Sequence, residues 1–284
     1  MANEQEQFIF FGTPQFAVDV LKILEANDRL PTLVVTAPDR PRGRGQKLQQ
    51  SAIASWADKR GIPTLKPEKI TTDFIANMKN QAPKGGWPLA VVIAYGHILP
   101  AELIYLPEHN TLNLHPSLLP KLRGPAPIRG AILEEDKTGV SIIELDEQMD
   151  HGPIVAQTSV ATEGWPPDYD QLKSRLTAVG GQLLTETIPA WLAGSITPRP
   201  QEETEATYSQ KFSAADGEID LIADPEANLR KIRAFTGWPK AHFFKDSRRI
   251  LVTKAHLEEG ELVIDRVKPA GDEEMSYSAY QEKA

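Results

Sequence analysis

Residues 89–94, Leu-Ala-Val-Val-Ile-Ala, carry no polar side chain. A strand of that kind has to be covered on both faces, which places it in the middle of a parallel sheet with helices above and below. Shorter apolar runs precede it at 7–11 and 33–36. Between those two, Phe16, Val20, Leu21 and Leu24 recur at helical spacing. Thr13 is suited to cap that helix and Pro14 to open it. Strand, helix, strand is a parallel βαβ unit. The turn after the first run has Gly12 alone and not G-x-G-x-x-G, so a Rossmann-like sheet without a dinucleotide is predicted.

The pattern continues to the C-terminus. Helices are predicted over 49–60, with Ile53, Trp56 and Ala57 inward and Gly61 as the stop, and over 72–80. Residues 64–65 are strand-like, 83–88 form a loop, and 101–105 form a short helical turn. Strands are predicted over 110–114, 138–145 (alternating, with Val140 and Ile142) and 154–160, with a helix over 126–133. A long amphipathic helix covers 170–192, its buried stripe read as Leu172, Leu176, Val179, Leu183 and Leu184. Turn-prone and acidic residues then mark a linker, so the expected domains are 1–193, a linker 194–207, and 208–284. The last part reads as a helix over 226–235, opened by Asp224-Pro225, followed by strands at 241–244, 250–256 and 261–267, a small β domain.

With 284 residues and 40% hydrophobic side chains, the chain can bury a substantial core. A net charge of −8 argues against a protein coated in nucleic acid, though not against a local basic patch. The absence of cysteine excludes a thiol nucleophile, a thiolate metal site and disulfides. No histidine pair has ligand spacing, so no metal is expected. A polar start and the lack of a bilayer-length apolar run lead to the expectation of a cytoplasmic protein that works as a monomer without a membrane.

The chemistry concentrates in 113–128. Asn113 and His115 lie two apart on the strand Thr111–His115, so an amide and an imidazole share a face. Pro116, Pro120, Gly124, Pro125 and Pro127 then hold a rigid apolar loop. Alone, this is an ordinary loop with two satisfied polar residues. It is not alone. Together with 10–16, 38–47, 91–100, 149–154 and 231–239, taken in order, it resembles the folate-dependent formyltransferases, above all those acting on initiator methionyl-tRNA.

That resemblance implies 10-formyltetrahydrofolate as formyl donor, an N-terminal Rossmann-like formyltransferase domain, and a C-terminal OB-like barrel that binds tRNA. The barrel reads as one hairpin short between 256 and 268. The resemblance matches Asn113, His115 and Asp150 to the catalytic residues. Ser117, Leu118, Leu119 and Pro120 become the folate wall, joined by the backbone and apolar side chains of Ile93, Tyr95, Gly96 and Leu99. The basic loop 38–47, which by itself could be a solvated surface loop, becomes an RNA contact through Arg42 first, then Arg40, Arg44 and Lys47. Residues 228–256 carry eight Lys and Arg against Asp246 alone, a density able to cover phosphates. His97 is read as a partly exposed loop residue without a catalytic role, and His151 as facing solvent.

Formyl transfer requires donors for a transient oxyanion, a polarising group and a carboxylate for proton traffic. Asn113 supplies amide N–H groups, His115 the side chain with its ordinary pKa closest to neutrality, and Asp150 the carboxylate. Two alternatives remain from the sequence: transfer to a small amine such as an amino sugar nucleotide, and a silent folate- or RNA-binding module.

Overall fold

The structure is a computed structural model describing residues 7–42, 45–162 and 164–283, without the side chain of Arg42. The chain runs β1 (Phe8–Gly12), α1 (Gln15–Ala26), β2 (Leu33–Val35), β3 (Arg40–Arg42), β4 (Lys47–Gln49), α2 (Ala52–Asp58), β5 (Thr64–Leu65), α3 (Thr72–Asn80), β6 (Leu89–Ile93), α4 (Ala101–Ile104), β7 (Thr111–His115), α5 (Pro127–Glu134), β8 (Thr138–Glu144), β9 (Ile154–Val160) and α6 (Tyr169–Leu192). After these come α7 (Pro225–Ala234), β10 (His242–Lys245), β11 (Arg248–Glu258), β12 (Glu261–Pro269), β13 (Met275–Ser276) and α8 (Tyr277–Lys283). Two compact units form: 1–123 with 139–159 and 175–207, and 124–138 with 160–174 and 208–284.

The first unit is built on a seven-stranded sheet in the order β5-β2-β1-β6-β7-β8-β9. From β5 to β7 every pairing is parallel, and β8 is antiparallel to β7. All residues of β1, β2, β6 and β7 are buried, as the continuous apolar runs of β1, β2 and β6 require, while β7 buries three polar side chains as well. The register sets Ile9 beside Leu33 and Ala90, and Phe11 beside Val35 and Val92. These six join Met78 of α3 and Trp87 in one cluster on a single face of the sheet. Burying each large apolar side chain there contributes about 1.5–3 kcal/mol.

Several local readings change. Thr13 does not cap α1: Pro14 holds the cap position, and the Thr13 hydroxyl donates to the Tyr95 carbonyl at 3.0 Å, tying the end of β1 to the end of β6. Helix α2 starts at Ala52 and not at 49, because the Ser51 hydroxyl accepts from Ala54 N and caps it, while Gln49 belongs to β4. Strand β8 is buried on both faces and not on alternate residues, since it too lies inside the sheet. In α6 the buried stripe runs through Leu172, Leu176, Gly180, Gly181, Leu184 and Ile188, with Val179 and Leu183 only half-buried. A Cβ on Gly181 would stand 2.6 Å from Ile23 Cδ1, so the glycines set how closely α6 approaches α1.

The second unit holds a four-stranded antiparallel sheet, β10-β11-β12-β13. Asp246-Ser247 and Glu259-Gly260 both have positive φ at each central residue, the turn geometry that matches the twist of paired strands. A register shift between Val252 and Ala255 bends β11. β10 and β13 are the two edges of the sheet. Strand β13 and helix α8 were not anticipated from the acidic tail. Helix α7 begins as expected at Asp224, whose carboxylate accepts from Ala227 N at 2.7 Å.

Much of the 228–256 basic stripe is occupied by structural tasks. Arg230 donates to Glu135 O at 2.7 Å and Ile132 O at 3.3 Å, closing the C-terminus of α5, and also pairs with Asp136 and Glu226. Arg233 donates to Pro166 O, Arg248 to Ala270 O and Arg249 to Pro239 O. These guanidiniums are spent on backbone carbonyls of turns and of one helix end.

Candidate active site

Strand β7 sits beside β6 and ends where β1 and β6 end, at the carboxyl edge of the parallel sheet, where open α/β sheets collect ligands. Its alternation places Asn113 and His115 on one face, opposite Ile143 and Ser141 of β8. Both side chains are buried, at 8% and 5% exposure. Beyond β8 the chain turns through Asp150, which has φ +51. Its Oδ1 lies 3.5 Å from Asn113 Nδ2 and 3.5 Å from His115 Nδ1. One carboxylate oxygen therefore faces both predicted partners at the outer limit of a hydrogen bond, the loose spacing usual before a substrate closes a site.

The imidazole is fixed from its other side. His115 Nε2 lies 2.9 Å from the Leu122 carbonyl, which can only accept, so Nε2 carries a proton and donates. Nδ1 is left as the nitrogen facing Asp150. Of the two amide hydrogens on Asn113, one is directed at Asp150 and the second remains for another acceptor.

Residues 117–120, the predicted folate wall, follow the end of β7 directly. Ser117 and Leu119 are buried, and Leu118 and Pro120 are half-buried. Sequence reasoning missed what shapes the wall. The Ser141 hydroxyl donates to Ser117 O at 2.7 Å and accepts from Leu119 N at 3.0 Å. Gln157 Nε2 reaches Leu119 O and Ser141 Oγ, both at 2.8 Å. A serine inside an otherwise apolar strand was the available signal, since a buried hydroxyl must find partners.

The other predicted folate residues divide. Ile93, Tyr95 and Leu99 are buried, and Tyr95 and Leu99 belong to the main core cluster. Their side chains pack inward, and the exposed residues at this edge are Ala94, Gly96 and Ile98, the last 87% exposed. The Tyr95 ring meets Phe11 edge-on at 5.4 Å, and burial pushes its phenol up to about 12. His97 is half-exposed, as expected, with its ring 5.2 Å from that of Tyr95.

His151 does not simply face solvent. Its Nδ1 lies 2.5 Å from Asp146 Oδ2 and its Nε2 lies 3.3 Å from Glu203 Oε1. Glu203 in turn accepts from Arg123 at 2.6 Å, and that hydrogen bond holds its carboxyl below the usual range. Arg123, only 1% exposed, also donates to Gln201 Oε1. Neither Arg123 nor Gln201 was anticipated, because one lay in a turn and the other in a presumed spacer.

The basic loop folds into a two-stranded hairpin, β3 with β4. Arg40 pairs with Glu68 at 2.8 Å and stays exposed, and Lys47 and Leu48 are exposed on β4. Arg44 and the side chain of Arg42 lie outside the described residues. Among the described residues no group of three metal-ligating side chains occurs, and no helix is long and apolar enough to cross a membrane.

Compared with known proteins, residues 6–188 match the formyl transferase family and residues 211–263 match the formyl transferase C-terminal domain. Methionyl-tRNA formyltransferase of Thermodesulfovibrio yellowstonii is 40% identical over 254 residues, covering 89% of this chain and 80% of the relative. Among solved structures, methionyl-tRNA formyltransferase from Clostridium thermocellum superposes with a TM-score of 0.60 at 18% identity, over 93% of this chain and 98% of that one. The sugar 3N-formyl transferase WlaRD, crystallised with dTDP and 5-N-formyl-THF, gives 0.63 at 16% identity, over 90% and 88%.

Proposed function

The chain belongs to the formyl transferase family and is an enzyme of formyl transfer, and we propose that it moves the formyl group of 10-formyltetrahydrofolate to the free amine of initiator methionyl-tRNA. The observation that carries the reading is one carboxylate oxygen, on Asp150, 3.5 Å from both the Asn113 amide and the His115 imidazole at the carboxyl edge of the sheet.

The attacking nitrogen must arrive unprotonated. Asp150 accepts a proton from the aminoacyl ammonium, directly or through water. The amine then forms a bond to the formyl carbon, and charge collects on the formyl oxygen. The second Asn113 N–H donates to that oxygen, and His115 Nδ1 joins it when the ring carries a proton on both nitrogens. One oriented donor of this sort is worth roughly 3–4 kcal/mol. His115 can serve in this way because its Nε2 is committed to Leu122 O, which fixes the ring and leaves Nδ1 turned to the reacting atoms. As the intermediate collapses, the bond to the folate nitrogen breaks, that nitrogen receives the proton held by Asp150, and the attacking nitrogen gives its surplus proton to water. Paired proton transfer of this type contributes about a hundredfold to ten-thousandfold.

Folate is placed against the 117–120 wall and the backbone at 94–96. The bulky, polyanionic tRNA is assigned to Arg42, Arg40, Arg44 and Lys47 and to the 208–284 domain. The 40% identity to a methionyl-tRNA enzyme over most of the chain favours tRNA over an amino sugar nucleotide. The test offers charged initiator tRNA and an amino sugar nucleotide in parallel with the same formyl donor. Formylated methionyl-tRNA is expected. Transfer to the sugar alone would retire the tRNA reading, and transfer to neither would retire both.

A further inference from the structure

Asp150 and Leu122 are both non-glycine residues in the left-handed region, with φ +51 and +60. Such a backbone costs about 1–2 kcal/mol per residue, so it persists only where its surroundings hold it. Asp150 carries the carboxylate and Leu122 the carbonyl that fixes His115. One short segment, 199–207, holds both.

It is docked first by a β-bridge: Arg199 N donates to Ile154 O at 2.8 Å, and Ile154 N to Arg199 O at 2.7 Å. Two residues later the Gln201 amide lies over the Asp150 turn. Its Nε2 donates to Asp150 O at 2.8 Å and Gly152 O at 2.7 Å, using both hydrogens. Its Oε1 accepts from buried Arg123, from Nε at 3.1 Å and an Nη at 2.9 Å. Arg123 follows Leu122 directly. At the far end, Thr207 Oγ1 accepts from Leu122 N at 2.9 Å, and Thr207 O from Arg123 N at 2.9 Å.

We propose that Gln201 is a positioning residue for formyl transfer, clamping the Asp150 turn to the Leu122-Arg123 turn so that the Asp150 carboxylate stays aligned with His115 Nδ1. The segment 199–207 is then part of the catalytic scaffold and not a spacer. This inference rests on the reading of Asp150 as a catalytic residue. No other side-chain type of this size fits the pattern: two donors on two carbonyls, and an acceptor for a guanidinium, all on one amide.

The test uses the full chain. Gln201→Glu keeps the volume and the acceptor for Arg123, but removes both donors and sets an anion against two carbonyls. Its kcat is expected to fall roughly 30-fold, with the KM for the formyl donor within about threefold of wild type. Gln201→Asn, one methylene short of spanning the three partners, is expected to move kcat in the same direction and serves if the Glu variant does not fold. The decisive readout is a double-mutant cycle. In an Asp150→Asn background, Gln201→Glu should change the residual single-turnover rate by less than about twofold, because its effect is transmitted through a carboxylate already removed. Equal losses in both backgrounds mean a merely structural role and overturn the inference. So does normal kcat in both Gln201 variants while Asp150→Asn is inactive, an outcome that leaves the proposed function standing. Near-normal turnover in Asp150→Asn itself removes Asp150 from the mechanism and overturns the inference with it.

Discussion

Gly152→Ala is the sharpest test of how the Asp150 turn is placed. A Cβ at this position would stand 1.8 Å from the Glu144 carbonyl oxygen and 3.0 Å from Glu144 C. Real Cβ atoms do not come nearer than 3.0 Å, so the turn has to withdraw from the end of β8 by roughly 1.2 Å. Both neighbours are backbone, so no side chain can swing aside. Asp150 is two residues away, and its carboxylate already stands at 3.5 Å from Asn113 and His115. A further displacement of that order takes it out of hydrogen-bond range. A misplacement of about 1 Å in a reacting constellation costs roughly a hundredfold in rate, and overpacking costs about 1–3 kcal/mol of stability. The assay is single-turnover formylation beside a folate-binding titration and a thermal melt. The expected result is kcat down about a hundredfold, donor binding nearly unchanged, and Tm lower by about 2–12 °C. A folded variant with kcat within twofold of wild type would refute the claim that the placement of this turn limits the chemistry.

The remaining predictions concern single groups. Asp150→Asn should lower kcat about a hundredfold to ten-thousandfold while leaving donor affinity within about threefold, read by steady-state kinetics and a binding titration. The Tyr95 hydroxyl is buried without a hydrogen-bond partner among the described residues, so Tyr95→Phe should be neutral or stabilising by about 1 kcal/mol in urea unfolding at pH 7. The same phenol, raised from 10 to about 12, resists ionisation in the folded state. Its contribution is fully present below pH 10 and is lost as pH rises through 12, about 2–3 kcal/mol in all, and Tyr95→Phe should remove that loss. Asp224→Ala deletes the acceptor that caps α7 and should cost about 1 kcal/mol in the same measurement.

What the sequence determined by itself is the parallel character of the sheet and which side chains its central strands present. Runs such as 89–94 admit only a strand buried on both faces, and period-two alternation alone puts Asn113 and His115 on one side of β7. Helix α3 spans Thr72–Asn80 as predicted, and its cap is local, the Thr71 hydroxyl accepting from Phe74 N. The tertiary structure decided everything that depends on partners distant in the chain. It showed Thr13 spent on Tyr95 O and not on its own helix, Arg230 closing the end of α5, and His151 set between two carboxylates. The segment read as a linker from its turn-prone composition proved to be bonded through Gln201 and Thr207 to the two turns that hold the site. The physical reason is one of range. Periodicity and capping act over a few residues and are written in the sequence there. A buried amide or guanidinium takes its meaning from the groups that satisfy it, and 51 or 78 residues separate those in the chain.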